Sequence, residues 1–503
     1  MWRSRNAVFH LRCRVGSDGV DVQTFALTPP RASGIPRAAM VPRQEQLREL
    51  SDEAAAHVLS MEGTQSGTRT GWLMITTILI EAWDLYSISF LLIFVKNEFK
   101  PDAALLGLTS ASVQLGALIG AMIGGWAADR LGRRKVFLTT MASFVVLAVV
   151  QAFARNMWEL VIIRFLLGIP LGSDIATGYT YIMESMPKGK REVMGNRWQG
   201  MFGLGEVACI VVVTIMYLSG MDHGLLWRIG LALGAIPALI LLIMRLDVPD
   251  TALSLIQAGK FKQAKKVARE MFNDPLDMLP DEDYHIHRPR TRDFLADIWK
   301  DPVRKKASTF AWISNAMQGI EFSAFGFYLP VILLLSGVSG IAGTNFFTAA
   351  IYVIATISGF VAPVITPRLG HRGISQWGFG GAFVSLLAAA LFLHLGWKLL
   401  VPVAAATLMW SHYWSASNGM TICSMVAPSR YKATASGFGY MFVKLPNFIT
   451  IFLFPVVFEH LGIPLSTALV SLFSLTGFLA ARFILPEVYG YVEHEKQETV
   501  LAG

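Results

Sequence analysis

Apolar residues run along this chain in blocks of about 20, the length an α-helix needs to cross a hydrocarbon core of about 30 Å, with short polar stretches between them. Six blocks fall near 71 to 95, 105 to 129, 136 to 154, 158 to 184, 195 to 219 and 225 to 246. Six more fall near 308 to 335, 343 to 366, 374 to 396, 399 to 426, 435 to 458 and 464 to 485. Between the two sets lies a polar segment, 247 to 307, carrying Lys260, Lys262, Lys265, Lys266 and Arg269 and later Arg288, Arg290 and Arg292. Within it Leu253, Ile256, Phe261, Ala264 and Val267 recur at helical spacing, which predicts short helices lying on the membrane surface. Residues 1 to about 65 are rich in Arg, Pro and Ser and hold no apolar run long enough to span, so they read as a disordered cytoplasmic tail. Arg3, Arg5, Arg12 and Arg14 with few acids also suit an organellar transit peptide, and Met40 or Met61 suits a later start.

The pattern therefore predicts an all-α membrane protein: a tail over 1–65, a six-helix half over 66–246, a cytoplasmic central loop over 247–307, a second six-helix half over 308–486 and a cytoplasmic tail over 487–503. Lys/Arg clusters between spans stay on the cytoplasmic side. With both termini inside, every strongly basic loop (130 to 135, 188 to 191, 247 to 307, 368 to 372, 430 to 432) lands there. The halves echo each other: DRLGRR at 129 to 134 returns as PRLGHR at 367 to 372, and PKGKR at 187 to 191 as PSRYK at 428 to 432. The offset is about 240 residues each time, the internal duplication of a transporter built from two parallel halves. Pro367 stands where Asp129 stands in the first copy, so a weaker charged latch is expected in the second.

Composition agrees with the pattern, since 53% of the 503 residues are hydrophobic and 16% charged. The net charge of +8 sits in the short loops, where membrane topology already explains it, and implies no nucleic-acid partner. Cys13, Cys209 and Cys423 offer neither a disulfide framework nor a thiolate metal cluster. No catalytic constellation, phosphate-cradling glycine loop or metal-ligand cluster is legible, so the expectation is no enzyme, no cofactor and no metal.

The exceptions inside the apolar blocks carry the chemistry: Glu81, Asp84, Arg164, Asp174, Glu206, Glu321 and Lys444. A charge at mid-membrane costs at least about 2.5–3.5 kcal/mol, so each needs a partner or a water-filled cavity. Asp84 sits near the middle of its helix with Glu81 one turn away on the same face. Two adjacent carboxylates do not both ionise cheaply, which suits a proton carrier. Gln199 and Glu206, two turns apart, share a face of their helix; the glutamine suits either a substrate hydroxyl or oxyanion or a helix–helix contact, the glutamate a structural contact. Lys444 lies about ten residues into its helix, roughly 15 Å deep, too far to snorkel comfortably. It needs an anion, either Glu321 or Asp174 in an empty site or a substrate that displaces them. Trp83, Tyr86, Trp410 and Trp414 suit flanking a ligand or plain packing.

GWAADRLGRRK, 125 to 135, resembles the signature of the major facilitator superfamily that joins its second and third transmembrane helices. RFLLGIPLGSDIATGYTYIMESMP (164 to 187) is similar to the fourth-helix motif of its sugar-porter and metabolite:proton symporter branches. VPDTALSLIQAGKFKQAKKV (248 to 267) is similar to the sugar porters' P-E-S-P-R-W-L segment, and LPEVYGYVE (485 to 493) to their P-E-T-K-G tail. The resemblance implies that superfamily's fold, twelve transmembrane helices in two pseudo-symmetric six-helix halves. Gln199 stands at the sugar porters' fifth-helix glutamine and Gln318 at one of their paired seventh-helix glutamines, while Ser323 and Met420 replace an asparagine and a tryptophan. EAWDLY (81 to 86) resembles the D-A-Y-D-L-F of the phosphate:proton symporters. Asp174, Glu321 and Lys444 match their fourth-helix aspartate, seventh-helix aspartate and eleventh-helix basic residue, and Ile175, Met317 and Phe325 replace three of their phosphate contacts.

The resemblance implies Asp84 as the coupling acid with Arg164 its partner, Glu81 and Glu321 sharing the proton coupling, and Asp174, Gln199, Gln318, Glu321 and Lys444 as substrate contacts. It implies Asp129, Arg130, Arg133, Glu184 and Arg191 as an inner-gate latch that sets conformational equilibrium. The expected function is proton-coupled symport of a small polar, anionic metabolite (an organic acid, sugar acid or phosphate-like ion) by alternating access. The expected setting is a monomer in the plasma membrane, or the inner membrane of a bacterium, whose partners are substrate, protons and the lipid bilayer. The alternatives are a neutral sugar:proton symporter and a non-transporting nutrient receptor.

Overall fold

The apolar blocks form helices, and the breaks between them fall where glycine, proline or a capping side chain ends one. The computed structural model describes residues 44–61, 65–187, 190–286, 291–337 and 340–491. Expectations placed on residues 1–43, on Lys188, Arg288 and Arg290 and on 492–503 lie outside these. Nine helices among the described residues are long and apolar enough to cross a membrane, and the bent pair Pro302–Gly326 and Leu329–Leu335 makes a tenth span. The 55-residue helix Ile341–Leu395 is two spans, because Gly370 at φ 69°, ψ 172° breaks it. Val401–Val426 completes the twelve; its His412, Ser415, Ser417 and Asn418, all buried, lower its hydropathy without exposing it.

The first half comprises α1 (Gly67–Phe99), α2 (Ala104–Leu131), α3 (Arg133–Phe153), α4 (Met157–Ser185), α5 (Lys190–Leu218) and α6 (His223–Arg245). The second comprises α7 (the bent pair), α8 and α9 (Ile341–Leu395 before and after Gly370), α10 (Val401–Val426), α11 (Ser429–Leu461) and α12 (Ile463–Phe483). Side chains close the helix starts: Asp102 accepts from the Leu105 N–H at 2.7 Å, Asn156 from Glu159 at 2.9 Å, and Asp301, ahead of Pro302, from Val303 at 2.8 Å. The crossing of α2 on α4 has glycine at its contact points; a Cβ on Gly120 would press into the carbonyl of Ile169.

The internal repeat is physical as well as textual. Gly132 (φ 96°) and Gly370 (φ 69°) make matching turns. In each, a carboxylate from beyond that half's last span caps the helix that follows the turn. Asp250 accepts from the Arg133 N–H at 2.9 Å, and Glu487 accepts from His371 and Arg372 at 3.0 and 3.1 Å.

Residues 44–60, expected within a disordered tail, form the helix Gln44–Ser60. Leu47, Leu50, Ala54 and Val58 make a packing stripe at helical spacing, too sparse to register as an apolar run. The helix lies across the face that carries the central loop, here called the loop face. Asp52 pairs with Arg430 at the start of α11 (Nε to Oδ1 2.9 Å), and Arg191 of α5 donates to the Leu59 carbonyl at 3.1 Å. The central-loop helices Ala252–Gln257, Phe261–Phe272 and Phe294–Trp299 also bury their apolar faces in protein: Leu253 packs with Ala55 and Leu59, and Phe261 and Ala264 are fully buried. The expected surface for these helices was lipid; the protein's own loop face takes that place.

Candidate functional site

α1 carries two carboxylates that diverge. Three residues along a helix leave side chains about 60° apart, and here that separation sends them to different partners. Asp84 turns into the first half, where Arg164 Nη2 of α4 lies 3.3 Å from it and Nη1 lies 3.3 Å from Gln151. Glu81 turns to the second half, where Lys444 Nζ and the Tyr440 hydroxyl of α11 both donate to its Oε1. Lys444 Nζ also lies 4.9 Å from the centre of the Tyr440 ring.

Around this pair is a small cavity between the halves, lined by Glu81, Gln199, Gln318, His412, Lys444 and Asn447 among its polar residues and by Trp198, Phe202, Phe322 and Tyr440 among its aromatics. Glu81 Oε2, Gln199 Oε1 and Gln318 Nε2 are buried and have no hydrogen-bond partner among the described residues. A buried polar atom left unpaired costs about 1–3 kcal/mol, and these three, from α1, α5 and α7, converge on one space. One turn past Gln318, α7 widens: the Phe327 N–H reaches the Phe322 carbonyl, five residues back, at 2.9 Å. Asn447, with its amide nitrogen turned to the Val443 and Gly319 carbonyls at 3.0 and 2.9 Å, fastens α11 to α7 beside this turn.

Contacts between the halves close the cavity on both sides. On the loop face Asp129 at the end of α2 accepts from the Thr434 N–H (2.8 Å), Thr434 Oγ1 (2.7 Å) and the Ala433 N–H (3.3 Å), at the start of α11. Thr180 meets Ser436 at 3.0 Å, and Asn196 donates to Asn418 at 2.9 Å. Toward the far face Asn345 donates to Thr214 at 2.9 Å, Ser89 to the Phe327 carbonyl at 3.2 Å, Tyr413 to Glu206, and the Tyr86 and Tyr352 hydroxyls meet. The state is occluded.

Among the expected gate residues, Arg133 is fully buried between Asp129 (2.9 Å) and Glu184 (2.7 Å). Arg191 also donates to the Tyr491 carbonyl at 3.2 Å, whereas Arg130 is exposed, its guanidinium 5.1 Å from the Trp126 ring centre.

Two expected substrate contacts go elsewhere. Asp174 is held by Arg245 at 3.0 Å through both oxygens, and the same guanidinium donates to the Met74 carbonyl at 3.1 Å. Arg245 lies at the end of α6, and its side chain reaches back into the bundle. Glu321 faces His412 Nδ1 at 2.7 Å and accepts from Ser474, inside the second half, and meets the cavity only through His412. The bridge expected from Lys444 to Glu321 or Asp174 is therefore made to Glu81, because Lys444 faces α1. Trp83, given to the ligand or to packing, donates to the Gly230 carbonyl of α6 at 3.4 Å. Tyr440, His412 and Asn447 were missed; Tyr440 had a signal, since it precedes Lys444 by four residues and so shares its face.

The family model for sugar (and other) transporters matches residues 59–501. The probable metabolite transport protein CsbC of Bacillus subtilis is 25% identical over 434 residues, covering 82% of this chain and 90% of its own. The arabinose-proton symporter of the same organism is 24% identical over 429 residues, covering 81% and 89%. A partially occluded inward open structure of the xylose transporter XylE from E. coli superposes with a TM-score of 0.68 at 18% identity, over 86% of this chain and 100% of that one. With twelve spans in two halves closed around a central cavity, and a family match over most of its length, the chain belongs to the sugar (and other) transporters of the major facilitator superfamily and is a membrane transporter, not an enzyme.

Proposed function

We propose that this transporter moves a small polar anion together with a proton by alternating access, as a monomer with its basic loop face in the cytosol. The observation that supports this most is the Lys444–Glu81 pair in a cavity where Glu81 Oε2, Gln199 Oε1 and Gln318 Nε2 are unpartnered. Removing one member of a buried ion pair costs about 3–5 kcal/mol, because the other charge is stranded. A proton arriving alone on Glu81 strands Lys444; an anion arriving alone on Lys444 strands Glu81. Arriving together, they replace one neutral arrangement with another, so each favours the other by about the same 3–5 kcal/mol. Gln199 and Gln318 then orient the polar remainder of the ligand. Asp84, on the same helix as Glu81 and paired with Arg164, is the acid whose protonation loosens α1 from α4 and carries the coupling into helix movement. Asp129 and Arg133 act on the gate.

A neutral sugar is the second reading. The free amide atoms of Gln199 and Gln318 suit hydroxyls, Lys444 is already neutralised by Glu81, and similar proteins carry arabinose-proton and xylose transporter names. Thermal-shift screening against sugars, organic acids and phosphate identifies the ligand, and Lys444→Gln decides its charge. The anion reading expects affinity to fall 10-fold or more, about 1.4 kcal/mol. Parental affinity in Lys444→Gln, or an uncharged sugar as the best ligand, puts the sugar reading in its place; binding without accumulation in proteoliposomes would indicate a receptor.

A further inference from the structure

We propose that Glu206 is a second proton-binding carboxyl, separate from α1, and that its proton locks the far gate. Glu206 lies on α5, fully buried at the junction of α1, α5, α8 and α10. The groups that face it are Tyr413 of α10, Tyr86 of α1 and, one step further, Tyr352 of α8, with Cys209 nearly one turn on along its own helix. Asp84, a like charge on α1 that also acts on Cys209, is already bound to Arg164, and His412, beside Tyr413, is turned to Glu321. No cation pairs with Glu206 among the described residues.

Counting protons settles what form this arrangement accommodates. The Tyr352 hydroxyl donates to the Gly326 carbonyl at 3.0 Å, an acceptor that has no proton to return. In the contact between Tyr352 and Tyr86, the proton must therefore come from Tyr86. Tyr86 has one proton and it is spent, so toward Glu206 it presents lone pairs. Tyr413 is then the one donor to the carboxyl, through Oε2, and Oε1 has no partner. An ionised carboxylate would sit at mid-membrane with one donor, no cation and an oxygen lone pair facing it. The carboxylic acid accepts from Tyr413 and, being uncharged, needs no cation at this depth. The closed far gate holds the acid.

When the far gate opens, α1 and α5 part from α8 and α10, Tyr413 leaves, and water reaches the carboxyl, which ionises as an exposed glutamate does. Closing takes up a proton and opening releases it. One linked proton shifts the open-to-closed ratio by up to about tenfold per pH unit, toward closed as pH falls. This requires alternating access but neither an anionic substrate nor a role for Asp84.

Spin labels at Leu218 and Leu399, exposed at the far ends of the two halves, report the gate in nanodiscs without any ligand. The parent should show an open population rising with pH. Glu206→Gln, which supplies the acid's donor and acceptor without titrating, should stay closed at every pH, while Asp84→Asn keeps a pH response. A Glu206→Gln protein with the parental pH response overturns the proposal. Infrared spectra of the closed parent at neutral pH give an independent check: a carboxylic C=O band that Glu206→Gln removes is expected, and its absence from the parent also overturns it.

Discussion

Asp129→Ala should unlatch the loop face. The carboxylate accepts three hydrogen bonds from the start of α11, two of them at 2.7 and 2.8 Å, across the boundary between the halves. Hydrogen bonds to a charged group contribute about 1.5–3 kcal/mol each. The donors of Thr434 gain water when the face opens, so the two short bonds count at the low end of that range, about 3 kcal/mol together. That corresponds to roughly a 150-fold shift toward the state open at the loop face. The fold survives, because Arg133 keeps Glu184 at 2.7 Å and no buried cation is left alone. Pulsed electron paramagnetic resonance between labels at Lys135 and Arg368, both exposed on this face in opposite halves, reads the change directly. A long-distance population should go from minor to dominant. An unchanged distance distribution in a well-folded Asp129→Ala protein would refute the latch.

Asp52→Asn should move the same label pair in the same direction but by less than about fivefold, since its ion pair with Arg430 is partly exposed and such pairs contribute about 0–1 kcal/mol; a shift as large as that of Asp129→Ala would make the N-terminal helix the principal lock. Arg245→Gln should lower thermal stability by about 3–5 kcal/mol by stranding Asp174 in the first half, and a melting temperature equal to the parent's would mean that water or another group already serves Asp174.

What could be read from the chain depended on whether the cause was local. Span length and loop charge are local, so the twelve apolar blocks, and even the break at Gly370 inside a continuous helix, were visible through the PRLGHR echo. The Gln44–Ser60 helix was hidden because Leu47, Leu50, Ala54 and Val58 form a stripe that a search for long apolar runs ignores. Partner choice was the least legible. Residue type showed that Lys444 and Asp174 each needed an opposite charge, but only the register of α1 against α11 and the reach of Arg245 from the end of α6 back into the bundle select Glu81 and Arg245. Gln199 and Gln318 could be placed by their position on α5 and α7, whereas the unpartnered atoms they present to the cavity are a property of the packed protein alone.

Proton-coupled movement of a polar ligand is tested most directly by accumulation in proteoliposomes under an imposed pH gradient, with the ligand found by thermal shift. Each coupled proton supports up to about tenfold accumulation per pH unit. The parent should concentrate ligand against its gradient only when the pH gradient is present, and Asp84→Asn, which breaks the buried pair with Arg164, should equilibrate ligand without concentrating it. Accumulation by Asp84→Asn equal to the parent's, or parental transport indifferent to the pH gradient, would contradict the account.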